Sequence, residues 1–329
     1  MRLFAKRRPV LFVHAGLHKT GTTALQECLA RNRPALAAAG LLYPVAGCPG
    51  DAPAQHNLAW QMARDRRFHS AYGTLDEAAA EIAAHGGDAV ISSEDFESVL
   101  PRPDRLDSLA LHPRLRGHRV VLVIYLREQG SYFQSLFLQL TRNGLTEEAA
   151  NVAGMVCETG RLRLREWDFL FDYGGLAAKL ARWKNGGLVL RNYHRLEGGS
   201  TVPDFLSLAA PGLRLPDAGG ETRVNTARGL TGAMLEFHEA RIGRELTDWQ
   251  RGEIADAAAQ AGESGARLSL AMRRHLAARF KASNRALRRI GGAGMAWPAE
   301  NMAVDAAMTL EQLFSLEMQC RLTGSGPAG

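Results

Sequence analysis

The chain has 329 residues, 46% of them hydrophobic and 22% charged, enough apolar material for one large α/β domain, or one domain with a helical extension, and too much for a disordered polymer. Lys and Arg exceed Asp and Glu by 40 to 34, a formal charge of +6, which favours anionic ligands in a general way: nucleic acid, a phosphorylated nucleotide or an acidic glycan. No run reaches the roughly 18 apolar residues of a membrane span. The basic start, residues 1–8, precedes only a brief apolar run, so the expectation is a cytoplasmic protein without a signal peptide, with peripheral membrane contact left open.

In chain order, residues 10–15 read as a short buried strand running into a Gly- and Thr-rich turn. A helical pattern over 23–39 follows and stops at Gly40. After a Pro/Gly-rich stretch at 44–53, a capping box of Thr74 and Glu77 opens a helix that ends near Gly86 and Gly87, and 89–93 reads as the next strand. Residues 120–126 form the most continuous apolar run, as a central parallel strand requires. They lead into an amphipathic helix from Ser131 to about Arg142, closed by Asn143 and Gly144. A helix over 167–183 and a strand over 188–192 continue the alternation, so a parallel sheet with right-handed crossovers is the economical topology. From Gly229 onward only helices are expected, one opened by Thr247 and Gln250 and one rich in arginine between Arg273 and Arg289. Cys28, Cys48, Cys157 and Cys320 stand far apart with no C-x-x-C pair, so neither a zinc site nor a disulfide framework is expected.

The chemistry concentrates in the stretch His14, Ala15, Gly16, Leu17, His18, Lys19, Thr20, Gly21, Thr22, Thr23, Ala24, Leu25, Gln26. A glycine at a strand-to-helix turn lets backbone N–H groups converge on an anion. The helix start adds its partial positive charge, and Lys19, Thr22 and Thr23 supply further donors. A Walker loop places its Lys directly after the second Gly, whereas Lys19 precedes Gly21 by two positions and follows Gly16 by three. The ATP loop is thus a poor match.

This stretch resembles the 5'-phosphosulfate loop of sulfotransferases that use 3'-phosphoadenosine-5'-phosphosulfate (PAPS), particularly the bacterial branch with K-T-G-T-T-x-L-Q after the first strand. The resemblance implies an α/β, P-loop-like three-layer fold with a central parallel sheet flanked by helices, plus a C-terminal helical extension. The division would be a PAPS-binding core over 9–228, the extension over 229–322 and a frayed tail at 323–329. It further implies that Lys19 contacts the oxygen bridging sulfate and phosphate, and that Thr20, Gly21, Thr22 and Thr23 wrap the 5'-phosphate. A strand-end Arg with a Ser eight positions on, Arg127 and Ser135 here, resembles the family's 3'-phosphate element, one giving a bidentate fork and the other a neutral hydroxyl. The chain departs from many cytosolic members at Ala24, where an aromatic stacks on adenine. Arg223 and Asn225, with Arg228 behind them, lie where the family brings a loop back over the nucleotide. Tyr193 and the helix after it look like the family's last strand segment, read as sheet-edge packing. The resemblance covers about 10–228 and is sharp only at the two phosphate motifs.

In-line sulfuryl transfer needs a base for the acceptor hydroxyl and positive groups where charge accumulates, but no metal. Glu94, at a carboxyl-terminal strand end, and His56, in a loop-rich region, compete for the base, with Glu94 the better-placed. His14 and His18 are assigned to supporting the loop. The implied acceptor is a small-molecule or glycan hydroxyl, by resemblance a carbohydrate or glycolipid, with 3'-phosphoadenosine 5'-phosphate (PAP) as product and no nucleic-acid partner. Two other readings stay open. One is an ATP-dependent P-loop kinase, with Asp95 the nearest Mg²⁺ ligand. The other is a non-catalytic binder of anionic ligands through the basic helix, whose Leu276, Phe280 and Leu287 pack inward.

Overall fold

The computed structural model describes residues 7–215, 227–261, 266–297 and 308–324. Its strands are β1 (Val10–His14), β2 (Leu41–Leu42), β3 (Asp88–Ser92), β4 (Arg119–Leu126), β5 (Arg161–Leu164), β6 (Trp167–Leu170) and β7 (Gly187–Asn192). Five of them form one parallel sheet in the order β2-β3-β1-β4-β7. The fold is therefore α/β, with helices flanking a central parallel sheet and a helical C-terminal region, as a three-layer arrangement requires. Two compact units can be distinguished. The described residues of 7–127, 165–215 and 283–297 make up the first, and those of 128–164, 227–261, 266–282 and 308–324 the second.

The first unit holds the sheet. Strand residues alternate between its faces. Val10, Phe12, Val121, Val123 and Tyr125 join Leu25 and Leu29 of α1 (Thr22–Arg31) and Val202, Phe205 and Leu206 of α9 (Thr201–Ala209) in one core. Phe12 and Phe205 meet edge to face at 6.3 Å. Leu11, Val13, Leu122 and Ile124 point the other way and are fully buried as well. Apolar on both faces, these strands read as continuous hydrophobic runs, which is why they were legible in the sequence.

Two expectations are corrected. The helix over 23–39 is two helices, α1 and α2 (Arg33–Ala38), because Pro34 lacks the N–H a continuing helix needs, and Asn32 closes α1 by donating its side-chain amide to the Cys28 carbonyl at 2.8 Å. The helix over 167–183 is also shorter. Trp167 to Leu170 are extended, and α8 (Tyr173–Leu180) starts only where Asp172 accepts from the Gly175 N–H at 3.0 Å as an N-cap.

The second unit is built mainly from helices, including α6 (Gln129–Arg142), α7 (Ala149–Thr159), α10 (Ala227–Ile242) and α11 (Asp248–Gln260), and it takes the first part of α12 (Leu270–Gly291). Phe137, Phe237 and Phe314 form an aromatic cluster with centroids 5.1–6.5 Å apart. Leu276, Phe280 and Leu287 of α12 are fully buried as expected, but so nearly is Arg273, which donates to the Leu268 carbonyl and is no part of a solvated basic face. Among the described residues, no helix is long and apolar enough to cross a membrane.

Asp204 is the polar centre of the sheet's edge. It is fully buried, accepts from the Tyr125 hydroxyl at 2.8 Å and forms a bidentate pair with Arg191. Removing it strands a buried hydroxyl and a guanidinium together. Asp204→Ala should cost about 3 kcal/mol, read as a lower urea midpoint at unchanged slope; a loss under about 1 kcal/mol would mean the network contributes little.

Candidate functional site

β1 is paired with β3 on one side and β4 on the other. Its carboxyl end therefore opens between the ends of those two strands, the place where α/β sheets receive ligands. The connection from β1 to α1 is a tight turn with two left-handed residues, Lys19 at φ 62° and Gly21 at φ 77°. For Lys19 this conformation costs of order 1–2 kcal/mol, strain that persists only where the surroundings enforce it.

The enforcement is visible. The Thr20 hydroxyl, fully buried, donates to the Leu17 carbonyl at 2.6 Å, and the Thr20 carbonyl accepts from Thr201 at 2.9 Å. The Lys19 carbonyl accepts from Arg127 Nη1 at 3.2 Å. Gly16 is held so close to His14 that an added Cβ would lie 2.6 Å from Nε2, so no other residue fits. Gly21 is the N-cap of α1 and offers no side chain, nor does the first turn contain an acid, so the leading N–H groups of α1 meet no side-chain cap. Thr22 is buried and Thr23 exposed. Lys19, Gly21, Thr22 and Thr23 are thus gathered at one helix start, while Thr20 contributes its backbone and not its hydroxyl.

Arg127 follows β4 directly, and its guanidinium lies over the Tyr193 ring at 5.4 Å, where a delocalised cation stacks well. Tyr193 in turn donates its N–H to the Leu126 carbonyl at 2.9 Å. Ser135 is half-buried on α6, in the second unit. Arg223 and Asn225 lie outside the described residues, as does the Arg228 side chain.

On the β3 side stand acids and histidines. His14 is fully buried with Nδ1 2.7 Å from the Ser92 hydroxyl, and burial pushes its pKa down to about 4 against the pull of Glu94, so it is neutral at physiological pH. His18, beside Lys19, is gripped twice by Glu97 Oε2, through its backbone N–H at 3.3 Å and Nδ1 at 2.8 Å, and Phe169 meets its ring edge-on at 4.9 Å. Burial lowers its pKa, but the Glu97 hydrogen bond and the charges of Glu97, Glu94 and Asp95 outweigh that and leave it raised. Glu94 Oε2 accepts from the Gln26 side chain of α1 at 2.7 Å. His56, the first residue of α3 (His56–Ala63), has Nδ1 2.9 Å from the Ser93 hydroxyl and 3.3 Å from Asp95 Oδ2.

The structure therefore brings Lys19, Glu94 and Arg127 to neighbouring strand ends and sets His56 beside the residues that follow β3. Sequence reasoning did not assign Glu97 and Thr201, which fasten the loop, or Trp60 and Arg67, which hold Asp95. Only Trp60 had a local signal, four positions after His56 on the same helix face. Among the described residues, no group of three or more His, Cys, Asp or Glu is gathered as a metal site. No family model, curated protein or solved structure matches the chain.

Because the folded-state pKa of His18 is raised, its pair with Glu97 stabilises fully below the ordinary value of 6.5 and fades as pH rises through the folded-state value. Glu97→Gln should then cost more stability at about pH 5.5 than at about pH 9 in urea titrations. An equal loss at both would show that the pair is not ionic.

Proposed function

We propose that this chain moves the sulfuryl group of PAPS to a hydroxyl of a carbohydrate or glycolipid acceptor. The observation that carries the reading is the left-handed Lys19–Gly21 turn at the uncapped start of α1, tied through the Lys19 carbonyl to Arg127 on the next strand. Two anion-binding elements at adjacent strand ends suit a nucleoside with phosphates at both its ends. An ATP loop would need its Lys in another position and leaves Arg127 without a role. In this reading the compartment is the cytoplasm, where the four cysteines stay reduced.

In this reading PAPS supplies an activated sulfuryl group. The N–H groups at the start of α1, with Thr22 and Thr23, hold the 5'-phosphate. Lys19 neutralises charge on the oxygen between phosphate and sulfur as that bond breaks, and Arg127 holds the 3'-phosphate. Glu94 or His56 takes the proton of the acceptor hydroxyl as its oxygen bonds to sulfur. Salt-screened attraction from the net positive chain draws in the anionic donor.

Calorimetric titration with PAP, ATP and AMP is the test. Lys19→Ala should weaken PAP about 10- to 100-fold, the worth of a charge-assisted hydrogen bond. Arg127→Ala should weaken PAP by a similar factor and weaken AMP, which lacks the 3'-phosphate and feels only the looser loop, by distinctly less. Binding of ATP with Mg²⁺ in place of PAP would overturn the proposal.

A further inference from the structure

Resting on the sulfuryl-transfer reading, we infer that Asp95 is the positioning residue of the general base, and that this base is His56 and not Glu94. Gln55, fully buried, stitches the start of α3 onto the end of β3. Its N–H donates to the Ser92 carbonyl at 2.9 Å, its Oε1 accepts from the Ser92 N–H at 2.8 Å, and its Nε2 donates to the Pro44 carbonyl at 2.8 Å. His56 is thereby placed against Ser93 and Asp95.

The tautomer follows from the partners. The Asp95 carboxylate has no proton to give, so its pair with His56 requires the proton on Nδ1, and the Ser93 hydroxyl oxygen, which accepts from the Asp95 N–H at 3.1 Å, has a second lone pair for the same donor. Nδ1 of His56, within reach of both, is the donor. The lone pair is left on Nε2, which no hydrogen bond among the described residues engages, on a side chain that is 19% exposed and so reachable by a substrate. Glu94, by contrast, has Oε2 occupied by Gln26.

Asp95 is itself immobilised. It is 8% exposed, and its Oδ2 accepts from Trp60 Nε1 at 2.8 Å. Its Oδ1 lies 3.7 Å from Arg67, which is doubly bonded to Asp65 and packed over the rings of Trp60 at 4.9 Å and Trp167 at 5.8 Å. Trp60, one turn along α3, stacks on the His56 imidazole with an interplanar angle of 18°. Asp95 fixes the ring's edge and Trp60 its face. The charged groups acting on His56 are Asp95, Glu94 and His18. Burial lowers its pKa, but the two acids outweigh burial and His18 together and raise it, stabilising the imidazolium that proton transfer creates.

The step balances without a further reactant. The acceptor oxygen bonds to sulfur and its proton moves to His56 Nε2. The bond from sulfur to the phosphate oxygen breaks, with its electron pair leaving on PAP.

The first readout needs no activity: nitrogen NMR of histidine-labelled protein, with His56→Ala identifying the signals. We expect Nδ1 protonated and Nε2 bare in the neutral ring. Asp95→Asn should mix the tautomers and drop the midpoint by about one unit or more. The second readout is turnover with PAPS. Asp95→Asn should lower kcat about 10- to 100-fold at unchanged PAP affinity and shift the base limb of the pH profile to lower pH, whereas Glu94→Gln, which takes away a nearby charge but no hydrogen bond to His56, should shift that limb less and leave it tracking the His56 midpoint. An unchanged His56 midpoint and tautomer in Asp95→Asn, or a limb that follows Glu94, would overturn the inference. Absence of PAP binding and of transfer would sink the sulfotransferase reading, while the NMR result would still decide the tie between Asp95 and His56.

Discussion

The constraint on which the site depends is that β1 is hydrogen-bonded on both edges. Ala15 still donates to the Val123 carbonyl, and the His14 carbonyl still accepts from Ser93. A strand clamped in this way cannot swing, and the chain leaving it must turn at once. That turn sits between the residues that follow β3 and the Arg127 that follows β4. The left-handed Lys19 is the local consequence, and the hydrogen bonds from Arg127 and Thr201 to neighbouring loop carbonyls offset its strain. A sheet with the same strands in another order would scatter these groups.

The two flanks of β1 carry opposite chemistry. Toward β4 stands the cation Arg127 stacked on an aromatic ring. Toward β3 stand Glu94, Asp95 and Glu97 with His18 and His56 among them. If both sides were positive, the flank beyond the loop would compete for the anion. If both were negative, the loop would repel it. Placing the acids in hydrogen bonds to Gln26, Trp60, the Leu170 N–H and the two histidines confines their charge, so that the start of α1 still presents positive potential.

The sheet strands and the tight turn from β1 into α1 were legible because both are local. Apolar runs of four to eight residues mark buried strands, and glycines flanking a helix start mark a tight turn into it. What escaped was long-range. Asp95 lies 35 positions from Trp60, and Glu97 lies 79 from His18. No periodicity links such pairs. The boundary errors have nearer causes: Pro34 broke a helix whose hydrophobic spacing continued past it, and Trp167 to Leu170, with Trp167 and Phe169 alternating with Asp168, fits a strand as readily as the first turn of a helix. Arg273 shows the converse risk, since an arginine on a basic helix is buried once a free carbonyl, that of Leu268, comes within its reach.

The histidines around the loop impose opposed pH dependences, and their opposition narrows the range in which the loop is well held. His14, beside Gly16, is buried and neutral with a pKa near 4, so it stabilises the fold above the ordinary value of 6.5 and that contribution is lost as pH falls toward 4. His18 and His56 have raised values, so their pairs with Glu97 and Asp95 stabilise below 6.5 and are lost as pH rises through the folded-state values. Acid undermines the loop from the His14 side, and alkali loosens it from the His18 side. Between the ordinary histidine value and the raised ones all three contributions coexist. In that interval the neutral ring next to Gly16 and the charged ring next to Lys19 together hold the strained turn at the start of α1.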